Sequence, residues 1–244
     1  MLPLRAIIDA SVKMGVRPNT LTLIGFLINL AAAWALGKDR FLLAGTLMVV
    51  ANTFDFIDGK VAHIEGTSSR FGAFLDSTLD RFSDIALFLG LIYLYASLRR
   101  TDYMMITALA MMFSITTSYA RARAESLIEQ CEVGLMQRPE RICLLMIGAL
   151  TNRMAAVIWV ILIFSIVAVV NRIHYTYLAL NNKPTPTGSN PPMALFWRAF
   201  FWRDRRGTLP YDLWVIAVLA FVWLTPPGWL HDPTASGTGL WPLF

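Results

Sequence analysis

Apolar residues run along this chain in long blocks, not in alternation. Such blocks cover 20–37, 41–57, 71–98, 103–122, 141–151, 154–172 and 211–229, and several approach the ~20 residues a helix needs to cross a bilayer. Their length excludes the alternating pattern of barrel strands. The fifth block has only Ile142 to Leu150 as an unbroken apolar run, which predicts a helix that begins before Arg141 and projects beyond the bilayer. Pro226 and Pro227 interrupt the seventh. The pattern predicts an all-α polytopic membrane protein, a six-helix transmembrane core followed by an extra C-terminal span.

Two flanking segments follow a different pattern. In MLPLRAIIDASVKMG the apolar residues recur at helical spacing around Arg5, Asp9 and Lys13, which predicts an amphipathic helix on the membrane surface and no cleavable signal. After about residue 180 the chain changes character. NNKPTPTGSNPP reads as a linker, and MALFWRAFFWRDRR mixes aromatics with arginines as an interfacial anchor does. The predicted division is therefore a membrane domain over 1–180 and an accessory region over 181–244. No internal repeat is visible, which argues against an inverted-repeat transporter.

Composition supports the membrane class: the 244 residues are 56% hydrophobic and 15% charged, with mean hydropathy +0.55. Charge supplies the orientation. With the N-terminus in the cytoplasm, 15 of the 21 Lys and Arg residues fall on the cytoplasmic side, five fall on the other and Arg81 lies within a span. That asymmetry obeys the positive-inside rule and predicts that the connection between the second and third blocks lies on the cytoplasmic side. The net charge of +5 then reflects topology and anionic lipid partners; nucleic acid is not expected. Cys131 and Cys143 fit no metal spacing and receive no role.

Within this apolar chain, DFIDGKVAHIEGTSSRFGAFLDSTLD spans Asp55 to Asp80. A carboxylate at bilayer depth costs at least ~2.5 kcal/mol on insertion scales. Asp55 and Asp58 are three apart, Asp76 and Asp80 four apart, so each pair shares a helix face. If the two helices are neighbours, four hard oxygen donors converge, a set suited to Mg²⁺, Mn²⁺ or Ca²⁺ and sufficient for two ions clamping a phosphoryl transfer. Gly59 and Gly72, with Ala62, leave room for a base or phosphate to approach the backbone. Thr67, Ser68, Ser69 and Arg70 supply donors for phosphate oxygens. Arg121, Arg138, Arg141 and Arg172 fall at cytoplasmic helix ends and could surround a dianion. Glu140 pairs in this reading with Arg138 or Arg141. Arg81 and Asp84 orient the third helix or join a buried ion pair, and no chemistry is assigned to them.

The spacing D-x2-D-G-x2-A-x9-G-x3-D-x3-D in this segment resembles the signature of the CDP-alcohol phosphotransferases. The resemblance implies a usually dimeric six-helix membrane enzyme that transfers a substituted phosphate from a CDP-alcohol to a second alcohol and releases CMP. It implies that Asp55, Asp58 and Asp76 bind metal, that Asp80 joins the metal site and acts as general base, and that Gly59 and Ser69 lie against the CDP moiety. RPNTLTLIGF resembles the segment that precedes the family's first span, with Asn19 and Thr22 meeting the nucleotide. One position departs: the family has Arg after the Ala, and this chain has His63, a neutral donor near pH 7 with an unperturbed pKa of about 6.5.

SYARARAESL and VGLMQRPERI are similar to segments of bacterial phosphatidylinositol phosphate synthases and archaeal inositol-lipid enzymes. That likeness implies a pocket for the acceptor's phosphate at Ser118, Arg121, Arg138 and Arg172, with Arg121 where such enzymes often carry Lys. The implied reaction is transfer of a phosphatidyl group from CDP-diacylglycerol to inositol 1-phosphate. Glycerol 3-phosphate is the competing acceptor. An inactive relative, through His63, and a metal-ion transporter or scaffold built on the same carboxylates are the readings of another kind.

Overall fold

Proline at position 18, where a missing N–H costs nothing, opens the first helix of the described residues, and every later element among them is also helical. The computed structural model describes residues 18–64, 69–131, 133–134, 136–183 and 209–234, with side chains except at 18, 56, 58–64, 209 and 210. The predicted N-terminal surface helix, Thr67 and Ser68, and the aromatic–arginine segment lie outside the described residues. The helices are α1 (Pro18–Gly37), α2 (Phe41–Ile64), α3 (Arg70–Ser97), α4 (Thr101–Glu125), α5 (Arg138–Thr151), α6 (Met154–Leu180) and α7 (Leu209–Leu224). Each predicted block corresponds to one of them.

Three boundaries differ markedly from the prediction: α6 runs on to Leu180, past the predicted residue 172, because no Gly or Pro interrupts 173–180. α2 runs on to Ile64, so Asp58, Gly59, Ala62 and His63 are helical. α7 stops at Leu224, short of the predicted residue 229, because Pro226 and Pro227 cannot continue its hydrogen-bond ladder. α5 begins at Arg138, before Arg141 as expected. By length and composition α1, α4 and α6 can each cross a membrane, while α2 and α7 carry shorter apolar stretches.

The helices pack in a closed circuit: α1 against α2 and α3, α3 against α4, α4 against α6, α6 against α5, and α5 back against α2, with α7 outside on α6. Leu36, Met48, Leu87, Phe88, Leu91, Leu145 and Ile161 fill the interior. Trp34, Phe74, Tyr93, Leu213 and Trp229 point outward, as they would toward lipid. α1–α2, α3–α4 and α5–α6 are joined by tight turns whose left-handed residues are Asp39, Arg99 and Asn152. All three turns lie at one end of the bundle. The longer connections lie at the other end, which is where the acidic and arginine residues gather.

Gly90 explains how closely the layers approach. A Cβ there would stand 2.2 Å from the Ala33 carbonyl oxygen, so α1 and α3 touch backbone to backbone. Beyond α7, the chain clamps the opposite end: Arg153 donates to Thr225 O at 2.8 Å, Asn152 to Thr234 O at 2.9 Å, and the Tyr103 hydroxyl to Leu230 O.

Candidate active site

At the end with the long connections, α2 and α3 bring Asp55 and Asp80 to a single nitrogen. Arg138, the first residue of α5, sets its Nη2 2.9 Å from Asp55 Oδ2 and 2.8 Å from Asp80 Oδ1. Asp55 fits because α1 presents a bare Cα to it; a Cβ on Gly25 would meet Asp55 Oδ1 at 2.6 Å. Burial opposes the Arg138 charge, yet Asp80, Asp84 and Asp55 outweigh it and hold the guanidinium pKa above its usual value. Asp76 lies one turn before Asp80 and is half-buried.

Behind this pair stands a second one. Arg141, 2% exposed, donates from Nη2 to Asp84 Oδ2 at 2.7 Å and from Nη1 to Met136 O at 3.0 Å. Asp84 therefore joins a buried ion pair. Glu140 pairs with neither Arg138 nor Arg141, contrary to the expectation: one turn of α5 points both arginines at α3, and Glu140 instead accepts from the Tyr211 hydroxyl of α7 at 3.2 Å.

The carboxylates suit a hard divalent ion, because two of them already share one cationic nitrogen and offer only oxygen. Asp55 and Asp80, with Asp76 and Asp58 on the same two helices, are the residues that could hold it. Among the described residues no three acidic, histidine or cysteine side chains are yet grouped as metal ligands; the Arg138 guanidinium sits between the carboxylates. The Asp58 side chain is outside the described set.

The expected nucleotide-side residues meet in part. Ser69 caps α3 by accepting the Gly72 N–H at 2.9 Å. A Cβ on Gly72 would lie 3.0 Å from Ser69 Oγ and 3.3 Å from Asn19 Oδ1, so Asn19, Ser69 and Gly72 are neighbours where α1 and α3 begin. Thr22 is buried in α1. The contacts of Gly59, Ala62 and His63 lie outside the described residues.

A cavity of about 320 Å³ adjoins Arg138 and takes in all four residues expected to hold an acceptor phosphate, Ser118, Arg121, Arg138 and Arg172. Arg81 and Arg141 also line it; sequence spacing gave no reason to choose Arg81. The arginines differ in how far they are committed. Arg121 pairs with Glu125 at 2.8 Å and donates to Gln137 Oε1 at 3.4 Å. Arg172 is buried and donates to Val133 O at 3.1 Å and to Thr117 O, which braces α6 against α4 and the α4–α5 connection. A separate apolar groove of about 350 Å³ runs between α5 and α7, with Leu144, Ile147, Trp214 and Val218 among its walls.

Comparison with known proteins supplies the family and the fold. The chain is 35% identical over 173 residues to the archaetidylinositol phosphate synthase of Pyrococcus horikoshii, covering 70% of this chain and 89% of that one. It is 33% identical over 175 residues to the phosphatidylinositol phosphate synthase of Mycobacteroides abscessus, covering 68% and 80%. Among solved structures, the Mycobacterium tuberculosis phosphatidylinositol phosphate synthase with CDP-DAG bound superposes at TM-score 0.68 and 24% identity, over 85% of this chain and all of that one. The same enzyme in complex with manganese and citrate gives a TM-score of 0.66 at 24% identity, over 79% and 98%; at that identity these two matches speak for the fold. The model of CDP-alcohol phosphatidyltransferases matches residues 15–178, from the start of α1 to the end of α6, and the chain belongs to that family.

Proposed function

We propose that the protein transfers the phosphatidyl group of CDP-diacylglycerol to inositol 1-phosphate, releasing CMP, at the cytoplasmic face of the membrane. The observation that carries this reading is the junction at Arg138: one guanidinium touches the acidic site on one side and lines an arginine-rich cavity on the other. A cavity with that lining suits a phosphorylated acceptor better than free inositol or serine, which would bring no anion to it. Names of the relatives point the same way.

Asp55, Asp58, Asp76 and Asp80 are the residues we assign to two divalent ions, Mg²⁺ or Mn²⁺, which when bound would neutralise the pyrophosphate and the departing CMP. Asn19, Thr22, Gly59, Ala62, His63, Ser69 and Gly72 receive the cytidine diphosphate. Ser118, Arg121, Arg138 and Arg172 hold the acceptor's phosphate and orient its hydroxyl. Asp80 takes the proton from that hydroxyl, whose oxygen attacks the phosphorus farther from cytidine; the bond from that phosphorus to the CMP oxygen breaks. The enzyme works as a homodimer in this reading, and residues 181–244 form an accessory region outside the catalytic domain.

A CMP-release assay decides the matter, with CDP-diacylglycerol or its archaeal ether analogue as donor and inositol 1-phosphate, glycerol 3-phosphate, inositol or serine as acceptor. Release with inositol 1-phosphate, abolished in Asp80→Asn, is expected. Faster release with glycerol 3-phosphate would make the protein a phosphatidylglycerol phosphate synthase, and no release with any acceptor would remove the catalytic reading.

A further inference from the structure

Arg138 has one seat filled and a second one waiting. Its Nη2 is committed to Asp55 and Asp80. Its Nε is buried without a hydrogen-bond acceptor, and Asp84 Oδ1 is buried without a donor. These two orphaned atoms face each other at 3.8 Å. A shift of roughly 1 Å would turn that approach into a charge-assisted hydrogen bond and draw the guanidinium away from Asp55 and Asp80.

Asp84 cannot drift to meet Arg138, because its other oxygen is fixed by Arg141, which is fixed in turn to Met136 O. The arginine must move. A divalent ion on Asp55 and Asp80 supplies the reason, since it competes for the same oxygens and repels the guanidinium at short range.

We propose that Asp84 is a positioning residue: it receives Arg138 when a divalent cation enters the carboxylate site, so that cation binding prepares the neighbouring cavity for its anion. The proposal rests on the reading of the two sites given above. In the first seat Arg138 is balanced by two carboxylates of its own. In the second it shares one carboxylate with Arg141, leaving a surplus positive charge at the cavity that both arginines line. Cation and acceptor anion then favour the same conformation, and each must tighten the other by the same factor.

The test uses the full chain in detergent, with Mn²⁺ binding followed by the paramagnetic resonance of the free ion and sulfate as a tetrahedral anion probe. Wild type should bind Mn²⁺ about tenfold more tightly in saturating sulfate, and sulfate about tenfold more tightly with Mn²⁺. Asp84→Asn keeps an oxygen for Arg141 and loses the charge that draws Arg138; it should bind Mn²⁺ alone several-fold more weakly than wild type, because Arg138 then stays on Asp55 and Asp80, and lose most of the coupling. Arg138→Gln should bind Mn²⁺ more tightly without sulfate, its competitor gone, and show no coupling. That second variant decides if Asp84→Asn does not fold. Failure of wild type to bind Mn²⁺ or to couple it to sulfate, coupling that survives Asp84→Asn, or unimproved Mn²⁺ binding in Arg138→Gln each overturns the proposal. CMP release measured on the same samples separates the two claims: turnover without coupling refutes the Asp84 role alone, whereas coupling without turnover upholds it and refutes the catalytic reading.

Discussion

Replacing Gly25 by alanine perturbs the acidic site through one methyl group. The new Cβ would stand 2.6 Å from Asp55 Oδ1 and 3.4 Å from Ala51 O. The second distance is an ordinary contact; the first is not, since carbon–oxygen contacts settle near 3.3–3.6 Å. Asp55 must therefore retreat by roughly 0.7–1 Å, and it cannot simply rotate, because Oδ2 is held by Arg138 at 2.9 Å. A misplacement of that size typically costs up to ~10²-fold in rate, so kcat should fall roughly 10- to 100-fold. Stability moves little: alanine gains about 1 kcal/mol over glycine inside a helix, which offsets part of a weakened charge-assisted bond. CMP release at limiting Mn²⁺, with a thermal melt on the same sample, reads both. Wild-type turnover in a well-folded Gly25→Ala protein would refute the assignment of Asp55 to the reacting site.

Gly90→Ala should do the reverse of Gly25→Ala, because its Cβ meets the Ala33 carbonyl at 2.2 Å and backbone cannot swing aside; destabilisation of about 3 kcal/mol, the upper range for overpacking, should appear as a lowered melting midpoint. His63→Arg should tighten CDP-diacylglycerol about tenfold, the worth of one charge-assisted hydrogen bond; equal or weaker equilibrium binding would mean that the site is built around histidine. Removing residues 209–244 deprives Asn152 and Arg153 of the carbonyls of Thr234 and Thr225. The melting midpoint should fall, while kcat per folded molecule stays within a few-fold of wild type, because none of Asp55, Asp58, Asp76, Asp80 or the cavity arginines is lost. Chelation by EDTA should abolish CMP release and leave the helical circular dichroism unchanged, restored activity on adding Mn²⁺ being the check.

Local patterns made the helices legible, and local spacing made the carboxylates legible. Asp76 and Asp80 share a face of α3 because the helix has 3.6 residues per turn, and nothing more distant is needed to infer it. Arg138 is different. Its partner Asp55 lies 83 residues away, and the Asp84–Arg141 pair spans 57, so only the packing of α5 against its neighbours could reveal which carboxylate each arginine meets. Glu140 departs from expectation for the same reason: adjacency in sequence suggests an arginine partner, while helix geometry turns it to Tyr211. Gly25 and Gly90 both lie among apolar residues inside their helices, and sequence alone does not distinguish the one facing a carboxylate from the one facing a carbonyl.

The chain's own cations resolve the problem posed by acids in an apolar protein. Asp55 and Asp80 are answered by Arg138, and Asp84 by Arg141, so these carboxylates are partly compensated by the chain itself. Removing one partner of such a pair would leave an uncompensated charge, which costs more than the pair itself contributes. Arg141, buried deepest, is therefore structural first, whereas Arg138 is more exposed and lies among three carboxylates. Were Asp55 and Asp80 to hold a divalent ion as proposed, the guanidinium that now pairs with them could be displaced without leaving the void that removal of a buried methylene leaves.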